Sequence, residues 1–402
     1  MTDIKKGSEE KEMRFLLFYG AIESLNHFTN ELNTELRKRG HSTFVVDMCQ
    51  EELDFVEALP DGNIDCAVCY DCVGTFGKEL YDEKGITVVN ILMDHPMNLA
   101  FCMRNPPEKY IQLSPDENHV VYAKRFFSIE NVFFMPHMAS LCTEFHQIPY
   151  EKKSIEILFP GSVCSCNALY EQIKERWYSE SSLLLALSML EYLLENPEKT
   201  LEEALYYVLL DRDMELSDPA IAAFMEHSKA IDSFVRMYHR ERVLIEIARS
   251  GIPVTIIGNG WENLALAQWS NVTIGGGRSF EEIFPYMERA KITLTVMPWF
   301  KAGTHDRIFN ALMHYSCPLT DDSSWLLEHF KPDEECAYYS LKRLEDIPYK
   351  IYQLLNHPEM QQRIISNGRD KVLNNYTTSQ IVDQILQHLK ECYGQGKELQ
   401  KP

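Results

Sequence analysis

Short apolar runs rich in β-branched residues recur along this chain, each followed by a helical stretch, and that alternation restricts the fold more than any other feature. Residues 13–19 (MRFLLFY), 43–47, 64–70 and 86–93 (ITVVNILM) read as buried strands, with 110–113 and 132–135 as further candidates. A helix from about residue 22 to 39 is terminated by Gly40. After the charged linker Glu151, Lys152, Lys153, the alternation starts again with 155–159 (IEILF). A long helical excursion follows, with amphipathic stretches at 183–194, 201–210 and 220–250 and a break near 214–219. Strands then resume at 254–257, 272–274, 292–296 and 318–320, and helices at 344–355, 358–373 and 379–392 close the chain. This pattern predicts an α/β protein of two Rossmann-like, doubly wound units facing a cleft. The units are 1–150 and 151–378, the second with a helical insertion at about 180–240, and a C-terminal helix and tail occupy 379–402. In such sheets ligands sit at the carboxyl ends of the strands.

Composition narrows the partners. At 402 residues there is room for two cores. The balance of 39 basic against 60 acidic side chains, a net −21, argues against nucleic acid and against an anionic membrane surface. An anionic ligand must therefore be held by a local cationic cluster. No apolar run approaches the roughly 20 residues of a membrane span. The opening MTDIKKGSEEKE has no apolar signal core. Eleven cysteines without small-domain spacing fit reduced thiols, so a cytoplasmic setting is expected.

One stretch stands out for chemistry: AKITLTVMPWFKAGTHDRIFNALMHYSCPLTDD, residues 290–322. A buried strand leads into a glycine-containing loop and then a helix whose first turn carries Thr304, His305, Asp306 and Arg307. Backbone N–H groups and the positive end of the helix dipole favour phosphate there, with Lys301 and Arg307 adding charge. An ordinary βα loop with solvated charges fits the same residues. In the first half, Asp94 and His95 follow the fourth strand and are placed to face a cleft, although Asp94 or Asn98 as a helix cap is the plainer alternative. His137, after Pro136, repeats the arrangement. Gly161 and Ser162 end the strand of the second unit and let backbone approach a ligand, or simply make a turn. Cys66, Cys69 and Cys72 have ligand-like spacing, but Cys66 and Cys69 point to opposite faces of one strand, and buried thiols are the better reading. Asp211 and Asp213 form a D-x-D in a helical region with no strand before it, poorly placed for a metal. Ser279 and Glu282 make a capping box for a helix over 279–290.

From Val254 to the last helix the sequence resembles the C-terminal domain of GT-B glycosyltransferases, and more narrowly the CgeB-like proteins linked to spore maturation and flagellar glycosylation. IGNGW (257–261), MPWFKAGTHDRIFNAL (297–312) and LTDDSSWLLEHF (319–330) carry the resemblance, with LMDHPMN (92–98) and FMPHMAS (134–140) in the first half. The resemblance implies transfer of a sugar from a nucleotide donor in the second domain to an acceptor mainly in the first. It places Lys301, Thr304, His305 and Arg307 on the diphosphate, Asn310 on the ribose, and Gly258, Gly260 and Trp261 near the nucleotide. Gly161 and Ser162 approach the phosphates, and His95, with Asp94, faces the reacting sugar. No metal or other cofactor is implied. Retaining relatives carry two glutamates eight positions apart; here those places hold Ala302 and Asn310, and a glycine expected after the helix is Tyr315.

These departures leave three readings. The first is an active, metal-independent and retaining transferase using a uridine-linked sugar on a protein or cell-surface glycan. The second is a non-catalytic GT-B protein that binds a nucleotide sugar or supports a partner transferase. The third is a nucleotide-sugar epimerase. Oligomerisation is left open. His95→Ala is expected to spare nucleotide affinity and lower turnover.

Overall fold

The computed structural model describes residues 12–50, 62–140, 146–177 and 179–393. The first sheet contains β1 (Arg14–Tyr19), β2 (Ser42–Asp47), β3 (Cys66–Tyr70), β4 (Thr87–Ile91), β5 (Tyr110–Ser114) and β6 (Val132–Phe134) in the order β2-β1-β3-β4-β5-β6. The second contains β7 (Ile155–Pro160), β8 (Val254–Ile257), β9 (Val272–Ile274), β10 (Ala290–Thr295), β11 (Cys317–Asp321) and β12 (Ala337–Tyr339) in the order β12-β11-β10-β7-β8-β9. Every pairing is parallel. Helices cover both faces, so β3, β4, β5 and β11 are buried along their whole length and show no polar alternation. Cys66 packs in one core of the first sheet while Cys69 and Cys72 pack in the core across it, the opposite-face arrangement read from the strand period.

In the second sheet the strand order reverses between β7 and β10. A crevice opens outside the carboxyl ends of strands at such a reversal. The ends of β7 and β10 carry the Gly161 turn and the loop that runs on to Arg307. In the first sheet the corresponding reversal lies between β1 and β3, so the start of the helix Glu23–Lys38, which follows β1, faces the same crevice.

The insertion between β7 and β8 consists of helices Cys166–Arg176, Glu180–Glu195, Leu201–Asp211, Asp218–His227 and Lys229–Arg249. Ser165, Ser179 and Thr200 cap three of them, Thr200 in a reciprocal box with Glu203. Its apolar core takes in Met97 and Tyr122 of the first half. Arg125 pairs with Asp218 at 2.7 Å, fastening the insertion to the first sheet's helices. Asp211 and Asp213 lie exposed where Leu201–Asp211 ends. The last helix, Thr378–Tyr393, returns to the first domain, packs on the helix Glu23–Lys38 and buries Ile381, Val382, Ile385 and Leu389 in the core that also holds Phe15 and Leu17. The halves also meet through backbone: Asp116 and Gly303 form an antiparallel bridge, and a Cβ on Gly303 would lie 2.2 Å from the Pro115 carbonyl oxygen.

Three details depart from the sequence reading. β12 is a three-residue edge strand, too short for its pattern to stand out. The helix expected from 279 begins with a 3-10 turn, Glu281–Ile283, and the helix proper is Phe284–Arg289, with Pro285 in its first turn where a missing N–H costs nothing. Tyr315 takes φ 56°, the left-handed conformation for which glycine is favoured. Among the described residues, no helix is long and apolar enough to cross a membrane.

Candidate functional site

A cleft of about 340 Å³ lies between the two sheets. Leu25, Phe28, Asp94 and His137 line it from the first half, and Phe284, Trp299, His305 and Arg307 from the second. Arg236 and Arg240 reach in from the insertion helix Lys229–Arg249.

The floor is built by the loops after β7 and β8. Gly161 N–H donates to Ile257 O at 2.8 Å, and Asn259 N–H donates to Ser162 Oγ at 3.0 Å. A Cβ on Gly258 would stand 2.2 Å from Gly161 O, and one on Gly260, at φ 92°, 2.1 Å from Val163 O. Both positions therefore require glycine for close backbone approach. Trp261 is fully buried, and its indole N–H donates to Gly161 O at 2.7 Å. Gly258, Gly260 and Trp261 thus buttress the Gly161 turn from beneath.

Above this turn the charge is positive. Arg307 Nη2 would lie 3.8 Å from a Cβ on Gly161, and Arg307 Nη1 is buried with no hydrogen-bond partner among the described residues. Arg240 donates to Ser162 O at 2.8 Å, yet its Nε has no partner among them. Burial, with Arg307 and Arg236 nearby, pushes the Arg240 guanidinium down to about 9. Arg236 is better compensated, 3.0 Å from Asp94 and 2.7 Å from Asp232. Arg236 and Arg240 both lie against the Trp299 ring, at 4.4 and 5.3 Å. Two guanidiniums short of partners beside a helix N-terminus carry a burial cost that an anionic ligand would offset.

Two histidines face the same space. His305 is the N-cap of the helix Asp306–Met313. Its Nδ1 lies 2.6 Å from Asp306 Oδ1 and 3.2 Å from Arg307 N. Burial works against the Asp306 carboxylate, but His305, with His137 and Arg307, holds it below the usual carboxylate range. His137 stacks on His305 at 5.8 Å, and neither of its nitrogens has a partner among the described residues. Burial pushes it down to about 4, so its imidazole is neutral near pH 7.

The remaining candidates divide between the cleft wall and the packing behind it. Lys301 does not line the cleft; its ammonium donates to Pro197 O in the insertion. Thr304 is fully buried, with no partner for Oγ1 among the described residues. Asn310 lines the cleft, but its amide donates to Asp306 Oδ2 at 3.1 Å and its carbonyl accepts Ser140 N–H at 2.8 Å. His95 caps a 3-10 turn by accepting Met97 N–H at Nδ1, which leaves the proton on Nε2 for Glu202 at 2.8 Å. Asp94 lines the cleft and His95 does not. His95→Ala is therefore expected to cost about 1–3 kcal/mol, because Glu202 loses its partner in a buried setting. UDP affinity should stay unchanged; urea denaturation and calorimetry measure the two effects.

Similarity to known proteins identifies the fold. Residues 239–387 match the sequence family described as Glycosyl transferase-like. Sucrose-phosphate synthase from Thermosynechococcus elongatus superposes with TM-score 0.57 at 10% identity, over 96% of this chain and 100% of that one. Anabaena HepE, solved with UDP and glucose, gives 0.56 at 9% identity, over 94% and 100%. The fold is GT-B. The chain also spans 54% of TarM, over 80% of its own length, at 12% identity and TM-score 0.47. No curated protein sequence matches significantly.

Within the GT-B cleft, Arg236, Arg240 and Trp299 escaped the sequence reading. The two arginines sit four apart on one face of an insertion helix. Only the fold carries that helix to the cleft beside the Gly161 turn. Trp299 was inside the central motif, but its position as a platform for two arginines depends on that same packing.

Proposed function

We propose that this GT-B protein transfers a sugar from a uridine diphosphate donor to a hydroxyl of a protein or cell-surface glycan, without a divalent metal and with retention. The carrying observation is the pair Arg240 and Arg307, short of partners above the Gly161 turn at the second sheet's strand reversal. As the glycosidic bond breaks, charge grows on the leaving diphosphate. Fixed guanidiniums and helix N–H groups stabilise it in place of a metal. His137, from the first half, supplies a neutral imidazole to the sugar's hydroxyls. The UDP and glucose in HepE support a uridine-linked donor. The CgeB-like motifs support a protein or surface-glycan acceptor.

The second reading, a non-catalytic nucleotide-sugar binder, is favoured by Ala302 in a glutamate position and by the engagement of Asn310 within the protein. Nucleotide release from uridine-, guanosine- and thymidine-linked sugars separates the two. The transferase reading expects release from one uridine-linked donor at the same rate with and without EDTA. Loss of release in EDTA contradicts the metal-free mechanism. UDP binding without release favours the second reading.

A further inference from the structure

We propose that His305, oriented by Asp306, accepts the proton of the attacking hydroxyl; this rests on the donor-site reading above. Asp306 is itself fixed. Its Oδ1 lies 2.6 Å from His305 Nδ1, and its Oδ2 accepts from Asn310 Nδ2 at 3.1 Å. Asn310 is in turn held by Ser140 N–H at 2.8 Å. Nδ1 cannot donate to Asp306 and accept the Arg307 N–H at 3.2 Å at once; the shorter contact, 2.6 Å to a carboxylate oxygen, fixes the proton on Nδ1 and leaves Nε2 with a lone pair. The His305 side chain lines the cleft and retains 20% of its exposure, so a hydroxyl can reach it. His95, with both nitrogens engaged, and His137, with no carboxylate to orient it, lack this combination.

The surroundings set the basicity. Asp306 and Arg307 face His305 from its own segment, Arg240 from the insertion helix and His137 from the first half. Burial lowers its pKa, Asp306 opposes this, and the two arginines add to the lowering. The net direction is down, so the ring is neutral and able to accept a proton near pH 7. A bound diphosphate offsets the arginines and makes the ring more basic when donor is present.

In the step itself, the acceptor hydroxyl gives its proton to His305 Nε2 and its oxygen forms a bond to the anomeric carbon. The bond from that carbon to the diphosphate oxygen breaks, and its electron pair stays on the diphosphate beside Arg240 and Arg307. Asp306 stabilises the imidazolium until the proton passes to water. His305 and Arg307 flank one helix N-terminus, so proton acceptor and leaving group share one face of the sugar. Attack from that face retains configuration.

The test uses His305→Gln in the full chain, with UDP-glucose, UDP-galactose and UDP-N-acetylglucosamine as donors and water as acceptor. UDP affinity, measured by calorimetry, should stay within about threefold of wild type. Donor turnover should fall about 100-fold or more. The wild-type kcat profile should fall toward acid pH as the ring is protonated, and the variant should lose that limb. Proton NMR should find the α-anomer as the first sugar released. Wild-type turnover in the variant overturns the proposal, as does an equal loss of UDP affinity and turnover, which would make His305 a phosphate ligand. UDP binding with no release from any of the three donors also overturns it. Failure of wild type to bind UDP strikes the donor-site reading instead.

Discussion

Arg307→Ala should weaken UDP binding by 100-fold or more without lowering the melting temperature. Charge-assisted hydrogen bonds contribute about 1.5–3 kcal/mol each. Losing two of them on a diphosphate costs roughly 3–6 kcal/mol, or about two to four powers of ten. Stability responds in the other direction because Arg307 Nη1 is buried without a hydrogen-bond partner among the described residues. Burial also lowers the Arg307 pKa, with Asp306 giving partial compensation. Removing such a cation relieves desolvation and its repulsion with Arg240. Arg307→Lys should recover only part of the affinity, since an ammonium cannot present the paired donors of guanidinium. Calorimetric titration and a thermal melt on the same preparations measure both effects. A variant that binds UDP as wild type does would remove the diphosphate from this end of the cleft.

Trp261→Ala should destabilise the second domain by about 3–5 kcal/mol, the range for truncating a buried aromatic. Trp261 is fully buried among core residues that include Val163, Ile256 and Leu266. It packs edge-to-face against Phe159 at 5.8 Å and donates to Gly161 O at 2.7 Å. Trp261→Phe keeps most of the packing but leaves the Gly161 carbonyl without that donor, at about 1–3 kcal/mol. The folded Phe variant should still bind UDP, with affinity lowered only as far as the Gly161 turn relaxes. Urea denaturation followed by titration of the folded protein checks both. A stable Phe variant with no UDP affinity would mean that the indole touches the nucleotide, as the family resemblance implied.

The contrast between Trp261 and Arg240 explains what the sequence made legible. Both sheets came from local signals, since runs such as residues 155–159 and 254–257 are apolar throughout and separated by helical periodicity. The position of Arg307 at a helix N-terminus was equally local, because a strand, a glycine loop and a helix precede the contact in order. Trp261 lies next to a glycine turn in sequence, and nothing local distinguishes a buttress from a stacking platform. Lys301 stood two positions before Gly303 and looked like a phosphate ligand. The Asp116–Gly303 bridge fixes the loop it belongs to, and its ammonium caps Pro197 O in the insertion. Arg240 lies far from the central motif in sequence, and only the packing of the insertion on both halves returns it to the cleft. The strain at Tyr315 was visible as a missing glycine, though the φ of 56° that it adopts was not.

The most direct test of the central claim is calorimetric titration of UDP, UMP and uridine into the wild-type protein in EDTA. Arg240 and Arg307 hold the diphosphate on this account, so UDP should bind one per chain. UMP should be weaker by tenfold or more and uridine weaker again. Equal affinities for all three, or UDP binding that disappears in EDTA, would contradict a metal-free diphosphate site at Arg240 and Arg307.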